Sequence, residues 1–198
     1  MTEGGRDEIP AKKRNKTHHV EVAGLSRDLP IITVPSGVRL AIFNILGDIE
    51  MTKAAGQALA TRLKPHRPEL IVTTETKSVP LAYEIASLLG LPYLVLRKTY
   101  VSYMGEALEA KVQSITTGHP RTIYLDAKDR ALCDGKRVAV IDDVISTGNT
   151  LAAMRDLMGR AGARIVAEAT VFTEGEPEQW KDVLALGHLP ILPGGGTA

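Results

Sequence analysis

The sequence predicts an α/β fold with a central, mainly parallel sheet flanked by helices, and three observations carry that expectation. Apolar runs at residues 70–72, 93–96, 138–141 and 165–172 are continuous rather than alternating, as suits strands covered on both faces. Amphipathic helical stripes lie between the runs. One segment, residues 98–135, breaks the rhythm without a clear helix.

The first stripe puts Met51, Ala54, Ala55, Ala58 and Leu59 on one face, and Pro65 ends that helix. Leu81, Ile85, Leu88 and Leu89 form the second, with Gly90 placed as a C-terminal cap. Leu151, Met154, Leu157 and Met158 form the third, which ends near Gly162. The long segment at 98–135 has the length of a lid or small subdomain, and residues 122–125 suit a strand within it.

A chain of 198 residues suits a single domain with an ample core. Its 24 Lys and Arg nearly cancel 23 Asp and Glu, so no global charge draws it to nucleic acid or anionic membrane. Residues 1–19 are polar, and Lys12, Lys13, Arg14 and Lys16 read as a flexible, solvated tail. His18 and His19 lack a carboxylate or cysteine at ligand spacing. The lone Cys133 excludes an internal disulfide and reads as a packing or surface residue. No apolar run is long enough to span a bilayer, and the N-terminus lacks a secretory core, so the expected location is the cytoplasm.

The chemistry concentrates in Val138 to Thr150, VAVIDDVISTGNT. A buried strand ends on adjacent acids, Asp142 and Asp143, and a short turn then opens a helix. Ligands of open α/β sheets bind at this edge. The turn Ser146, Thr147, Gly148, Asn149 and Thr150 offers amide and hydroxyl donors at a helix N-terminus, a cradle for a monophosphate. Gly148 permits close backbone approach, and Asn149 tolerates left-handed angles. Ionised carboxylates only accept hydrogen bonds, so the acid pair suits the 2′ and 3′ hydroxyls of a ribose.

This segment resembles the signature of type I phosphoribosyltransferases, which bind 5-phosphoribosyl 1-pyrophosphate (PRPP) and Mg²⁺. The resemblance runs over about residues 25–180 and is strongest to purine enzymes of the adenine type, with xanthine and archaeal hypoxanthine/guanine enzymes also similar. It implies a single phosphoribosyltransferase domain over 20–198, with a base-covering hood at 20–50 and a flap at 98–135 inserted in the core. Asp142 and Asp143 would hold the ribose diol, and Ser146, Thr147, Gly148, Asn149 and Thr150 the 5′-phosphate. The family usually has a second glycine where Asn149 stands. Glu75, Thr76, Lys77 and Ser78 fall where the family has its pyrophosphate loop, with Lys77 as the catalytic cation and Ser78 in place of glycine. Arg97 and Lys98 match a basic pair that contacts pyrophosphate, often across a homodimer interface. Mg²⁺ would arrive on PRPP and lie near Asp142 and Asp143, with no ligand set supplied by the protein alone.

The acceptor base is less determined. Asn44 sits in a stretch resembling the element over the base, Arg27 matches an arginine near adenine, and Val144 borders the same space. An Asn amide reads a 6-amino or a 6-oxo edge equally well. The glutamate that adenine enzymes carry in their flap is missing from residues 115–118, and Ser146 replaces an aspartate of human-type hypoxanthine-guanine enzymes. Tyr100, Tyr103 and Gly105 would start the lid. Adenine is the expected base, and xanthine or hypoxanthine/guanine the alternatives. A PRPP-sensing regulator resembling the bacterial purine repressor is a further alternative, for which the residues before the core are too few and too polar to form a winged helix. A kinase is disfavoured because no G-x-x-x-x-G-K-[ST] loop occurs.

Overall fold

The computed structural model describes residues 16–35, 37–112 and 121–192. Its centre is a five-stranded sheet in the order β10-β9-β8-β4-β5, every pairing parallel. The strands are β4 (Leu70–Thr74), β5 (Tyr93–Leu96), β8 (Arg137–Ile145), β9 (Arg164–Glu174) and β10 (Leu184–Leu189). All four expected strands are therefore present, and the last two run further than the apolar runs alone indicated.

Helix α1 (Ile49–Leu63) starts at Asp48, whose carboxylate accepts the Met51 N–H, and Pro65 lies in the short turn that follows. It buries Met51, Ala55, Leu59 and Leu63, the face anticipated, with Ala54 and Ala58 at its half-buried margin. Helix α2 (Val79–Leu89) ends at Gly90, which adopts φ +66°. Leu88, expected on the buried stripe, points to solvent, because Leu81, Ala82, Ile85 and Ala86 complete the contact with the sheet.

These two helices cover one face of the sheet, and α4 (Asn149–Arg160) covers the other. Segment 98–135 shares that second face. It holds the antiparallel hairpin β6 (Leu108–Val112) and β7 (Arg121–Leu125), and a four-residue helix α3 (Arg130–Cys133) that the sequence did not announce. Cys133 is fully buried in this layer, as a packing residue, and burial raises its thiol pKa to about 11.

Three antiparallel strands precede the sheet: β1 (Thr17–Val22), β2 (Leu25–Thr33) and β3 (Arg39–Ala41). Thr17, His18 and His19 thus belong to a strand rather than to the polar tail. Val20 and Val22 alternate with polar neighbours, and Ala23 and Gly24 turn the hairpin with φ of +52° and +77°. The hood seats Phe43 edge-on against Phe172 of β9, ring centroids 4.9 Å apart. The three strands thereby join the layer of α1 and α2 against β9 and β10.

Candidate active site

The C-terminal ends of β4, β5, β8 and β9 lie side by side, and most of the expected site residues stand on them. Strand β8 continues through both acids, pairing Asp142 with Thr170 and Ile145 with Thr173 before the turn begins. Asp143 is buried and Asp142 half-buried, and the Asp143 N–H donates to Asp142 Oδ1 at 2.9 Å. Burial, and then the negative charge of Asp143, raise the Asp142 pKa to about 7, while the Asp143 N–H and Lys98 pull it down. A hydroxyl or cationic ligand at the pair would favour the ionised form of Asp142.

The turn after β8 encloses a small cavity of about 100 Å³ lined by Asp142, Val144, Ser146, Thr147, Gly148, Asn149 and Thr150. Among the described residues, the N–H groups of Ser146, Thr147 and Gly148 donate to no protein acceptor. Gly148 holds φ +75° at the N-cap of α4, a backbone state that side chains disfavour. Unsatisfied donors at a helix N-terminus are able to receive an anion.

On the other side, Thr74 of β4 leads into Glu75 and the loop to α2. The Glu75–Thr76 peptide is cis. Glu75 accepts the Lys98 N–H at 2.8 Å and pairs with the Arg97 guanidinium, which also donates to the Tyr103 hydroxyl at 3.2 Å. Thr76 and Lys77 are exposed, and Lys77 forms no ion pair among the described residues. Ser78 is buried instead, 2.8 Å from the Thr73 hydroxyl and donating to Thr74 O at 3.2 Å. Its side chain anchors the loop to β4 and leaves only its backbone for a ligand.

Glu75 therefore gathers the basic pair at the sheet edge, a role that the sequence order alone did not show. Tyr100 donates to Gly105 O at 3.1 Å, which shapes the start of the flap. Residues 115–118 lie outside the described residues.

The residues expected at the base are placed differently. Asn44 is exposed between β3 and α1. Arg27 donates to both oxygens of Asp48, at 2.8 and 3.1 Å, to Glu50 at 2.8 Å, and to Ser26 O at 2.9 Å. It holds β2 to the start of α1. Arg27, foremost, and the Met51 N–H lower the Asp48 pKa.

Sequence reasoning also passed over Trp180, which follows β9 and lies against Gly148. Its signal was available: a lone tryptophan in a chain of 198 residues, a few residues after the apolar run at 165–172.

The phosphoribosyl transferase domain, as a family, matches residues 45–186. A xanthine phosphoribosyltransferase of Chloroflexus aurantiacus is 36% identical over 145 residues, covering 73% of this chain and 67% of that protein. The purine biosynthesis transcriptional repressor PurR of Bacillus subtilis is 28% identical over 192 residues, 94% of this chain and 66% of that protein. In three dimensions, an adenine phosphoribosyltransferase of Thermoanaerobacter pseudethanolicus superimposes with a TM-score of 0.65 at 17% identity, covering 81% of this chain and 95% of that one. That likeness establishes the fold.

Proposed function

Because the chain belongs to the phosphoribosyltransferase family, we propose that it transfers the phosphoribosyl group of PRPP to a purine base, releasing pyrophosphate. One observation carries the reading. An acid pair at a sheet edge and a turn with three unsatisfied N–H groups lie next to each other, as a ribose 5-phosphate requires. The turn binds the 5′-phosphate, and Asp142 with Asp143 accept the ribose hydroxyls. Lys77, Arg97 and Lys98 face the pyrophosphate, and Thr76 with the Ser78 backbone complete its loop.

Displacement at C1′ develops oxocarbenium character by analogy with glycosyl transfer. The chain fixes the sugar at both ends, which supplies orientation for the displacement. Mg²⁺ fits this site as a companion of PRPP. Among the described residues no cluster of three metal-ligating side chains exists, and the acid pair adds two carboxylates to the oxygens PRPP brings. When bound it neutralises the charge of the leaving pyrophosphate.

Adenine is the acceptor we favour, with Asn44 at its edge, Val144 along its face and Arg27 holding the hood in place above it. Xanthine is the second reading, favoured by the 36% identity to a xanthine enzyme. PRPP sensing without turnover is a third, favoured by the alignment with a repressor along 94% of the chain. Incubation with PRPP, Mg²⁺ and each purine base in turn, with identification of the nucleotide, separates them. AMP alone supports adenine, XMP supports xanthine, and binding of PRPP without any nucleotide supports the sensor.

The same reading extends to a homodimer in the cytoplasm. Ile49, Tyr83 and Tyr93 leave an apolar face beside α1 and α2, exposed by 71%, 57% and 40% respectively. A second copy is the partner proposed for it.

A further inference from the structure

We propose that Trp180 is a positioning residue for the phosphate turn, and that its emission reports occupancy of that turn. The inference rests on the phosphoribosyl reading and adds a residue from outside the binding segment. A methyl group at Gly148 would lie 2.8 Å from Trp180 Cη2 and 3.3 Å from Cζ3, so the indole closes directly onto the backbone of the turn. The ring is itself fixed at its other end. Its Nε1–H donates to Glu174 O at 2.8 Å, at the end of β9. Its apolar body packs on the layer that contains Leu151 and Ile145, the residues flanking the turn.

The turn needs such a brace because it has few restraints of its own. Ser146 and Thr147 are exposed, and their N–H groups are unused among the described residues. Gly148 is half-buried and held at φ +75° without the steric preference a side chain would give. A loop that must present three donors to one phosphate loses affinity when it fluctuates, since ordering is then charged against binding. The indole limits that freedom from behind while leaving the donor face open. Gly148 thus serves two contacts at once, a ligand in front and an aromatic ring at its back.

Trp180 is the only tryptophan in the chain, so its fluorescence is an unmixed signal. Ribose 5-phosphate, which fills the turn, is expected to change the emission, and pyrophosphate alone is expected to leave it unchanged. Trp180→Ala is expected to raise KM for PRPP about tenfold with kcat and the KM for the base nearly unchanged, and Trp180→Phe to restore most of the loss. The proposal is overturned if calorimetry detects ribose 5-phosphate binding while the emission stays silent. It is equally overturned if folded Trp180→Ala keeps the natural KM for PRPP, or loses kcat and both KM values together as a general structural defect would. Should Trp180→Ala fail to fold, the titration of the natural protein and the Phe variant still decide. Absence of any calorimetric binding of PRPP or ribose 5-phosphate would instead remove the phosphoribosyl reading itself, and this proposal with it.

Discussion

The two ends of the candidate site are built on different principles. At the proposed sugar-phosphate end, every group assigned to the ligand comes from one contiguous strand, turn and helix, residues 138–150. At the proposed base end, the assigned groups come from the loop before α1, from β2 and from the end of β8, brought together where Phe43 packs on Phe172. A phosphate is read by backbone N–H groups, which any sequence with the right turn can supply. A base is read by side chains whose positions depend on distant contacts. The first end is therefore a fixed cradle and the second an assembled one.

If the fixed end carries the sugar, its acids dominate the energetics. Asp142→Asn combined with Asp143→Asn is expected to lower kcat/KM on the order of 10²–10³-fold, the scale on which a transition-state contact is lost. Steady-state kinetics with saturating base checks this. Retained turnover and PRPP affinity in the double variant would sink the ribose assignment and erase the contrast between the two ends.

That contrast also explains what the sequence disclosed. The four core strands were legible because burial on both faces leaves an uninterrupted apolar run, and the acid pair and turn were legible because their chemistry is local. The hood strands were not, since β2 mixes Arg27, Asp28 and Pro30 among its apolar residues and gains its stability from Phe43, Phe172 and Leu189 far along the chain. The role of Ser78 was likewise hidden: its position matches a pyrophosphate loop, but its hydroxyl turns inward to β4. The clustering of Arg97 on Glu75 needed the parallel pairing of β4 with β5, which no local pattern encodes.

Loosening the assembled end tests it without touching the phosphate. Arg27→Lys keeps the charge but loses the two-pronged grip on Asp48, and Asp48→Asn keeps a capping side chain while losing the ion pair. Each is expected to raise KM for the base about tenfold and leave KM for PRPP within error, because only the hood is displaced. A double-mutant cycle between the two, read in base KM, should show strong coupling. Equal loss of affinity for PRPP and base would mean that the hood and the phosphate turn move as one body.

The smallest expected effect concerns the cost of holding the acids at the fixed end. Burial and the neighbouring Asp143 raise the Asp142 pKa from its ordinary 3.8 to about 7. Between those values the folded chain keeps a proton that the unfolded chain has released. Stability must then fall as pH rises through this window, and level off above it. Affinity for PRPP is expected to have the opposite sign, because the proposed diol site accepts through the ionised pair. Asp142→Asn removes the titration, so it is expected to melt above the natural protein at about pH 8 and to match it near the bottom of the window, by about 2–4 °C for each kcal/mol gained. Thermal melts across pH, beside PRPP titrations of the natural protein, provide the check. If Asp142→Asn keeps the natural slope of stability against pH, the acids are not strained against each other, and the cradle is preformed at no cost to the fold.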